Sequence, residues 1–150
     1  MVFVSFLLIC FSLTAIFAAE APEIYTPSEK KRLASSKSLN DRINVYDTAF
    51  ERIRKEIEKD IRNDRFADAS RTLKTWSALL DVSQADIEAT INPKKKPGRI
   101  RQYEIHLRQT IRELRNLRIR SPMELYDALL SFEEHAEETR RKFMIILFDM

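Results

Sequence analysis

Apolar side chains recur three or four residues apart along most of the chain, which is the spacing of one face of an α-helix. The first such stripe predicts a helix from Leu39 to Asn63, and a second predicts a helix from Phe66 to Ile91. We expect the second helix to bend near Ser83, a candidate N-cap with Asp86 three residues later. The inward positions of the two helices are Leu39, Ile43, Tyr46, Phe50, Ile53 and Ile57, then Phe66, Ala69, Leu73, Trp76, Leu80, Ile87 and Ile91.

Two further helices are predicted after a loop at residues 92–98, which contain two prolines and the only glycine. A third stripe runs from Ile100 to Leu117. Ser121, a preferred N-cap residue, then precedes Pro122 at the first position of the fourth helix, and Glu124 follows as in a capping box. The inward positions are Ile100, Tyr103, Leu107, Ile111, Leu114 and Leu117, then Leu125, Leu129, Phe132, Ala136, Phe143 and Ile146 or Leu147.

Four amphipathic helices joined by short links predict an all-α fold, an antiparallel four-helix bundle over residues 39–150. One glycine and five prolines in the whole chain leave too few turn residues for a β-sandwich or barrel. A three-helix core with a detached arm and a coiled-coil dimer are the alternative arrangements. Residues 20–38 are predicted to form a polar linker with one short helix from Pro27 that packs little.

The first nineteen residues are apolar and uncharged, which is typical of the hydrophobic region of a signal peptide. No basic residue precedes the apolar run, and the small-x-small sequence Ala19-Glu20-Ala21 is followed by Pro22. We therefore expect an exported protein, periplasmic or extracellular, with membrane anchoring through residues 1–19 as the alternative. The only cysteine, Cys10, lies in this segment, so a cleaved chain has no disulfide.

The segment Thr26-Pro27-Ser28-Glu29, followed by Leu39-Asn40-Asp41-Arg42-Ile43-Asn44-Val45-Tyr46, resembles small exported helical proteins of bacteria that have no assigned function. The resemblance covers about the first third of the chain after the signal segment. It implies an exported helical bundle and provides no functional residue.

The chain contains few of the residue types that catalysis or cofactor binding requires, and we expect neither enzymatic activity nor a cofactor. With one glycine, the chain contains no phosphate-binding loop, and a cleaved chain has no thiol. His106 and His135 are the only histidines, and the alternative function is a metal or haem carrier that uses one of them. The carboxylate di-metal motif requires glutamate three residues before each histidine, and Tyr103 and Phe132 stand there instead.

Positive charge is concentrated in the third helix and the loop before it, although the whole chain carries a net charge of only +3. This surface predicts a non-enzymatic interaction or envelope-structural protein with an anionic partner: a membrane surface, an envelope polyanion or an acidic protein. Export and the small number of aromatic residues among these cations argue against nucleic acid. The candidate binding residues are Arg101, Arg108, Arg112 and Arg115 with Lys94, Lys95 and Lys96.

The alternative interpretation of this charge is a solvated face, partly paired with the acidic fourth helix. That helix carries four glutamates around His135, which we expect to lie on solvated flanks of the apolar stripe. They are Glu133, Glu134, Glu137 and Glu138.

The segment from Phe143 to Phe148 is apolar on every side of the predicted helix. A bundle buries only one stripe of it, so Met144, Ile145 and Phe148 are expected to face water. Such a patch commonly marks an interface. It predicts a homodimer through this segment, or an N-terminal arm folded over it.

Overall fold

A computed structural model describes residues 23–92, 94–95 and 98–148. Within these ranges the chain forms helices and no β-strand, so the predicted all-α class is confirmed. The predicted signal segment and Lys96 lie outside the described residues. The five helices are α1 (Pro27–Ser35), α2 (Leu39–Arg62), α3 (Phe66–Thr90), α4 (Gly98–Arg120) and α5 (Met123–Phe148).

Capping boxes start the first two helices. The Thr26 hydroxyl accepts from the backbone N–H of Glu29, and the Glu29 carboxylate accepts from the backbone N–H of Thr26. Ser38 and Asp41 repeat this exchange at the start of α2. Because the first N–H groups of a helix have no partner within the helix, these side chains fix where α1 and α2 begin.

Two pairs of long helices are antiparallel neighbours, α2 with α3 and α4 with α5. Arg42 near the start of α2 binds Asp86 near the end of α3. Glu104 in the first half of α4 binds Arg140 in the last third of α5. These are the pairs joined by the shortest links, as the sequence predicts.

The other two neighbouring pairs are parallel, α2 with α4 and α3 with α5. Asp47 of α2 contacts His106 of α4, and Asp81 of α3 contacts His135 of α5. Consecutive helices α3 and α4 are therefore diagonal to each other. Residues 91–97 reach about 20 Å when extended, whereas the diagonal of four helices spaced about 10 Å apart is roughly 14 Å. This loop is long enough to cross the end of the helices.

The inward positions predicted for all four stripes are buried or half-buried in one core. Trp76 of α3 stacks on Phe132 of α5 at 4.6 Å between ring centroids and meets Phe50 of α2 edge-on at 4.8 Å. Tyr103 of α4 and Phe143 of α5 continue this aromatic cluster. Each of the four long helices thus contributes a ring to the core.

Two of the expected helix signals are corrected by the structure. Helix α3 is continuous through Ser83, which is fully buried rather than a cap. Its hydroxyl lies 3.0 Å from the Leu80 carbonyl and 3.1 Å from the Tyr103 hydroxyl, so tertiary contacts satisfy it inside the helix. Helix α5 begins at Met123, and the Ser121 hydroxyl donates to the Leu117 carbonyl at the end of α4.

Helix α1 is present as expected, but the prediction that this segment packs little is wrong. Glu29 is only 4% exposed and accepts two hydrogen bonds from Arg52 of α2. The same guanidinium donates to the Ile24 carbonyl at 2.7 Å. Leu33 lies against the core. The sequence pattern concealed this contact because its anchor is a long-range ion pair rather than an apolar stripe.

Candidate anionic-partner interface

The four arginines of α4 that are predicted to bind an anion, which we call the basic ridge, are of two kinds. They are Arg101, Arg108, Arg112 and Arg115. Arg101 and Arg112 are exposed, and no carboxylate in the described part of the chain lies within ion-pair distance of either. Arg115 contacts Glu133 of α5 at 2.7 Å, and Arg108 lies 3.8 Å from Glu104. Only part of the ridge is thus available to an external anion.

Glu133 corrects the expectation that the acidic cluster of α5 is a solvated flank. Its side chain is only 8% exposed and accepts from Arg115 Nε at 2.7 Å and Arg118 Nε at 3.0 Å. Glu134 and Glu138, by contrast, are exposed as expected. A buried carboxylate held by two guanidiniums joins α4 to α5.

A second buried carboxylate on the same interface was not predicted. The Glu104 side chain is only 5% exposed and accepts from Arg140 Nε at 2.9 Å. A signal for it exists in the sequence, because Glu104 stands four residues after Ile100 and three before Leu107, on the apolar stripe itself. Glu133 has the same relation to Leu129 and Ala136 on α5. A carboxylate at a stripe position indicates a buried ion pair.

The unpaired positive charge is concentrated where α4 begins. Lys94, Lys95, Arg99 and Arg101 are all exposed and have no acidic partner among the described residues. Arg99 was not among the predicted binding residues. We call these four residues the basic cluster. Because no carboxylate in the described ranges pairs with them, they create a positive potential at this end of the helices.

The C-terminal segment follows its predicted pattern with one exception. Phe143 is fully buried, Ile146 and Leu147 are half-buried, and Ile145 and Phe148 are 52% and 58% exposed. Met144 was expected to face water and is half-buried instead. We call Ile145 and Phe148 the apolar pair.

The two histidines do not converge. His106 Nδ1 lies 2.7 Å from Asp47 of α2, and His135 Nε2 lies 2.9 Å from Asp81 of α3. Each ring is thus held at a different helix interface. Within the described ranges, no group of three or more histidine, cysteine, aspartate or glutamate side chains is arranged to hold a metal ion.

A cleft of about 290 Å³ opens between α2 and α4, away from the predicted site residues. Ile57, Trp76 and Leu114 contribute apolar walls, and Arg54 and Glu113 belong to its charged rim. Arg54 already binds Glu58 at 2.7 Å and lies 3.5 Å from Glu113. The rim of the cleft therefore combines a paired cation, Arg54, with Arg120, which has no carboxylate partner in the described ranges.

None of the helices in the described ranges combines the length and the apolar character needed to cross a bilayer. Comparison with protein-family models, with curated proteins and with solved structures finds no match to the chain.

Proposed function

We propose that this chain is a non-enzymatic, exported interaction or envelope-structural protein that binds an anionic partner through the start of α4 and the loop before it. The observation that supports this function is the contrast within one helix. Three of the five arginines farther along α4 lie within ion-pair distance of a glutamate, namely Arg108, Arg115 and Arg118, whereas no member of the basic cluster has a carboxylate partner among the described residues. Concentrated unpaired charge attracts a partner of opposite sign.

The helical scaffold suits this role. We interpret α2 to α5 as a four-helix bundle with α1 attached to its side through Glu29 and Arg52. Buried ion pairs join α4 to α5 and an aromatic cluster fills the core, so Arg99 and Arg101 are presented by a packed helix. Rigid presentation of charge lowers the entropic cost of binding.

Export is proposed from residues 1–19, whose uncharged apolar sequence is typical of a signal peptide. The protein would then act in the periplasm or outside the cell, or at the membrane if the segment is retained. N-terminal sequencing of the protein from its native compartment decides between removal and retention.

The function is tested by retention on heparin, a soluble polyanion. Changing the basic cluster to glutamine should abolish retention at physiological salt and leave the melting temperature nearly unchanged, because all four side chains are exposed. A matched control removes the same charge from four other exposed cations on α2 and α3, and should keep most of the retention. We call Lys55, Lys59, Arg62 and Lys74 the control cluster. Equal retention of both variants and the wild type would contradict the proposal.

A homodimer through the C-terminal segment, which the sequence predicts, is the alternative use of the apolar pair, whose side chains are more than half exposed. Light scattering of the full chain tests it. A protein that is monomeric at high micromolar concentration contradicts the dimer.

A further inference from the structure

We propose that the anionic partner is a lipid bilayer, which the basic cluster and the apolar pair contact together. The cations would face anionic headgroups while Ile145 and Phe148 enter the region between headgroups and acyl chains. This inference rests on the proposed function and names its partner.

The register of α4 and α5 places the two groups at the same end of the molecule. Arg115 of α4 binds Glu133 of α5. Nearer the start of α4, Glu104 binds Arg140, which lies nearer the end of α5. Tyr103 of α4 packs against Phe143 of α5 with 5.6 Å between ring centroids, so this register, continued toward the start of α4, brings Arg101 level with Ile145. It also brings the first residue of α4, Gly98, level with Phe148, the last residue of α5.

Binding to a membrane surface needs both groups. An apolar contribution of two side chains is marginal alone, and so is a small set of cations, but together they give stable attachment. The apolar pair is more than half exposed, in contrast to Phe143, which is fully buried one turn earlier. These side chains are thus available for insertion without unfolding the helix.

Most acidic groups near this end of the described chain already have partners of their own. Asp86 is bound by Arg42 and Tyr46, Asp41 caps α2 through Ser38, and Glu138 lies 3.3 Å from Lys142. Glu88 of α3 is exposed and accepts from Gln84.

The opposite end of the molecule differs in charge although it also exposes apolar side chains. Ile119 and Met123 are 73% and 84% exposed there, where α4 turns into α5. Glu124 and Asp127 in the first turn and a half of α5 are exposed beside the exposed Arg120, so this end carries mixed charge instead of four cations. That end provides a control pair with the same apolar character and a different charge.

Two other occupants of the apolar pair are less favoured. A second copy of the chain would bring two basic clusters toward each other, and like charges oppose that contact. A soluble polyanion would use the cations and leave Ile145 and Phe148 in water. A bilayer with anionic lipid satisfies both groups.

The first test compares sedimentation of the full chain with vesicles of phosphatidylcholine alone and of phosphatidylcholine with phosphatidylglycerol. The measured quantity, which we call the gain, is the partition coefficient on vesicles with phosphatidylglycerol minus the partition coefficient on phosphatidylcholine alone. Insertion of the N-terminal segment into both vesicle types cancels in this difference. Changing Ile145 and Phe148 to serine should reduce this gain about tenfold, without loss of heparin retention. Changing the basic cluster to glutamine should remove both the gain and the heparin retention. Changing Ile119 and Met123 to serine, or the control cluster to glutamine, should leave the gain and the heparin retention close to those of the wild type.

The second test uses fluorescence. Trp76 is the only tryptophan and is fully buried, so its emission should not respond to docking. A Phe148→Trp variant adds a reporter at the apolar pair, and its emission should shift to the blue on vesicles with phosphatidylglycerol. A Met123→Trp variant reports the opposite end and should not shift.

The outcomes separate the two proposals. Membrane docking is overturned if the Ile145→Ser, Phe148→Ser variant shows the same gain as the wild type, or if the emission of Phe148→Trp does not shift to the blue. The proposed function is then decided by heparin retention alone. Loss of heparin retention in the control cluster variant as complete as in the basic cluster variant overturns the proposed function. A dimer that becomes monomeric in the Ile145→Ser, Phe148→Ser variant, with vesicle binding unchanged, assigns the apolar pair to a second copy and also overturns docking.

Discussion

The guanidinium of Arg115 and the carboxylate of Glu133 meet across the α4–α5 interface, with Nε 2.7 Å from Oε1, and the Glu133 side chain is only 8% exposed. Arg118 Nε lies 3.0 Å from the other carboxylate oxygen. One buried acid thus binds two cations of the basic helix. This arrangement removes part of the positive ridge from solvent and uses it to hold α5 in place.

Replacing this buried acid should destabilise the protein. Glu133→Gln removes the charge that Arg115 and Arg118 require, and Arg118 is itself largely buried. We expect a loss of about 2–3 kcal/mol in the free energy of unfolding, somewhat below the usual figure for a buried pair because Arg115 is half exposed. Denaturant unfolding measures it. Glu134→Gln, next in the chain and exposed, is the control, and equal stability of the two variants would mean that the pair contributes nothing.

The helices were predictable from the sequence because each stripe repeats many times within a local window. The spacing of Leu73, Trp76 and Leu80 predicts a buried helix face without knowledge of the residues that they contact. The buried ion pairs were not predictable, because the partner of Glu133 is identified only once α4 and α5 are known to be antiparallel neighbours. The diagonal placement of α3 and α4 was missed for the same reason, since the loop between them permits either arrangement.

The basic surface was predicted only in outline. The sequence identifies an excess of cations along α4 and the loop before it, and the exposure of Arg101 and Arg112 agrees with it. Which arginines are unpaired depends on α5, so Arg115 was included and Arg99 omitted.

Trp76 joins α2, α3 and α5 through ring contacts with Phe50 and Phe132, and it is fully buried. Trp76→Ala should destabilise by about 3–5 kcal/mol, because the ring leaves a cavity in a packed core. The indole N–H is buried without an acceptor among the described residues. Trp76→Phe removes that unsatisfied donor and should cost less than about 1.5 kcal/mol. A loss below about 1 kcal/mol for the alanine variant in denaturant unfolding would contradict the central position of this ring.

The docking of α1 should depend on pH through Glu29. Burial alone would raise the pKa of Glu29, but hydrogen bonds from Arg52 and Thr26 outweigh it and hold the pKa below its ordinary value of 4.5. A lowered pKa in the folded state means that the contribution to stability is complete above the ordinary pKa. It is lost as the pH falls through the lowered value.

Denaturant unfolding of wild type and a Glu29→Gln variant, between about pH 7 and about pH 3, measures this contribution. The variant should be less stable at neutral pH and lose less stability on acidification. Glu134→Gln, an exposed position, should keep the wild-type pH dependence. Parallel curves for wild type and Glu29→Gln would show that this carboxylate is not linked to folding.

Arg112 and Arg115 stand one turn apart on α4 and should respond oppositely to the same substitution. Arg115→Gln breaks a contact with a buried carboxylate, so it should lower the free energy of unfolding by about 1–2 kcal/mol. It should change heparin retention little, because Glu133 at 2.7 Å and Glu137 at 3.8 Å already offset its charge. Arg112→Gln removes an exposed cation with no carboxylate partner in the described chain, so stability should stay within about 0.5 kcal/mol of wild type. The salt concentration that elutes the protein from heparin should fall. If Arg115→Gln weakens retention as much as Arg112→Gln does and leaves stability intact, the division of the ridge into paired and available arginines is wrong, because a solvated ridge would treat both residues alike.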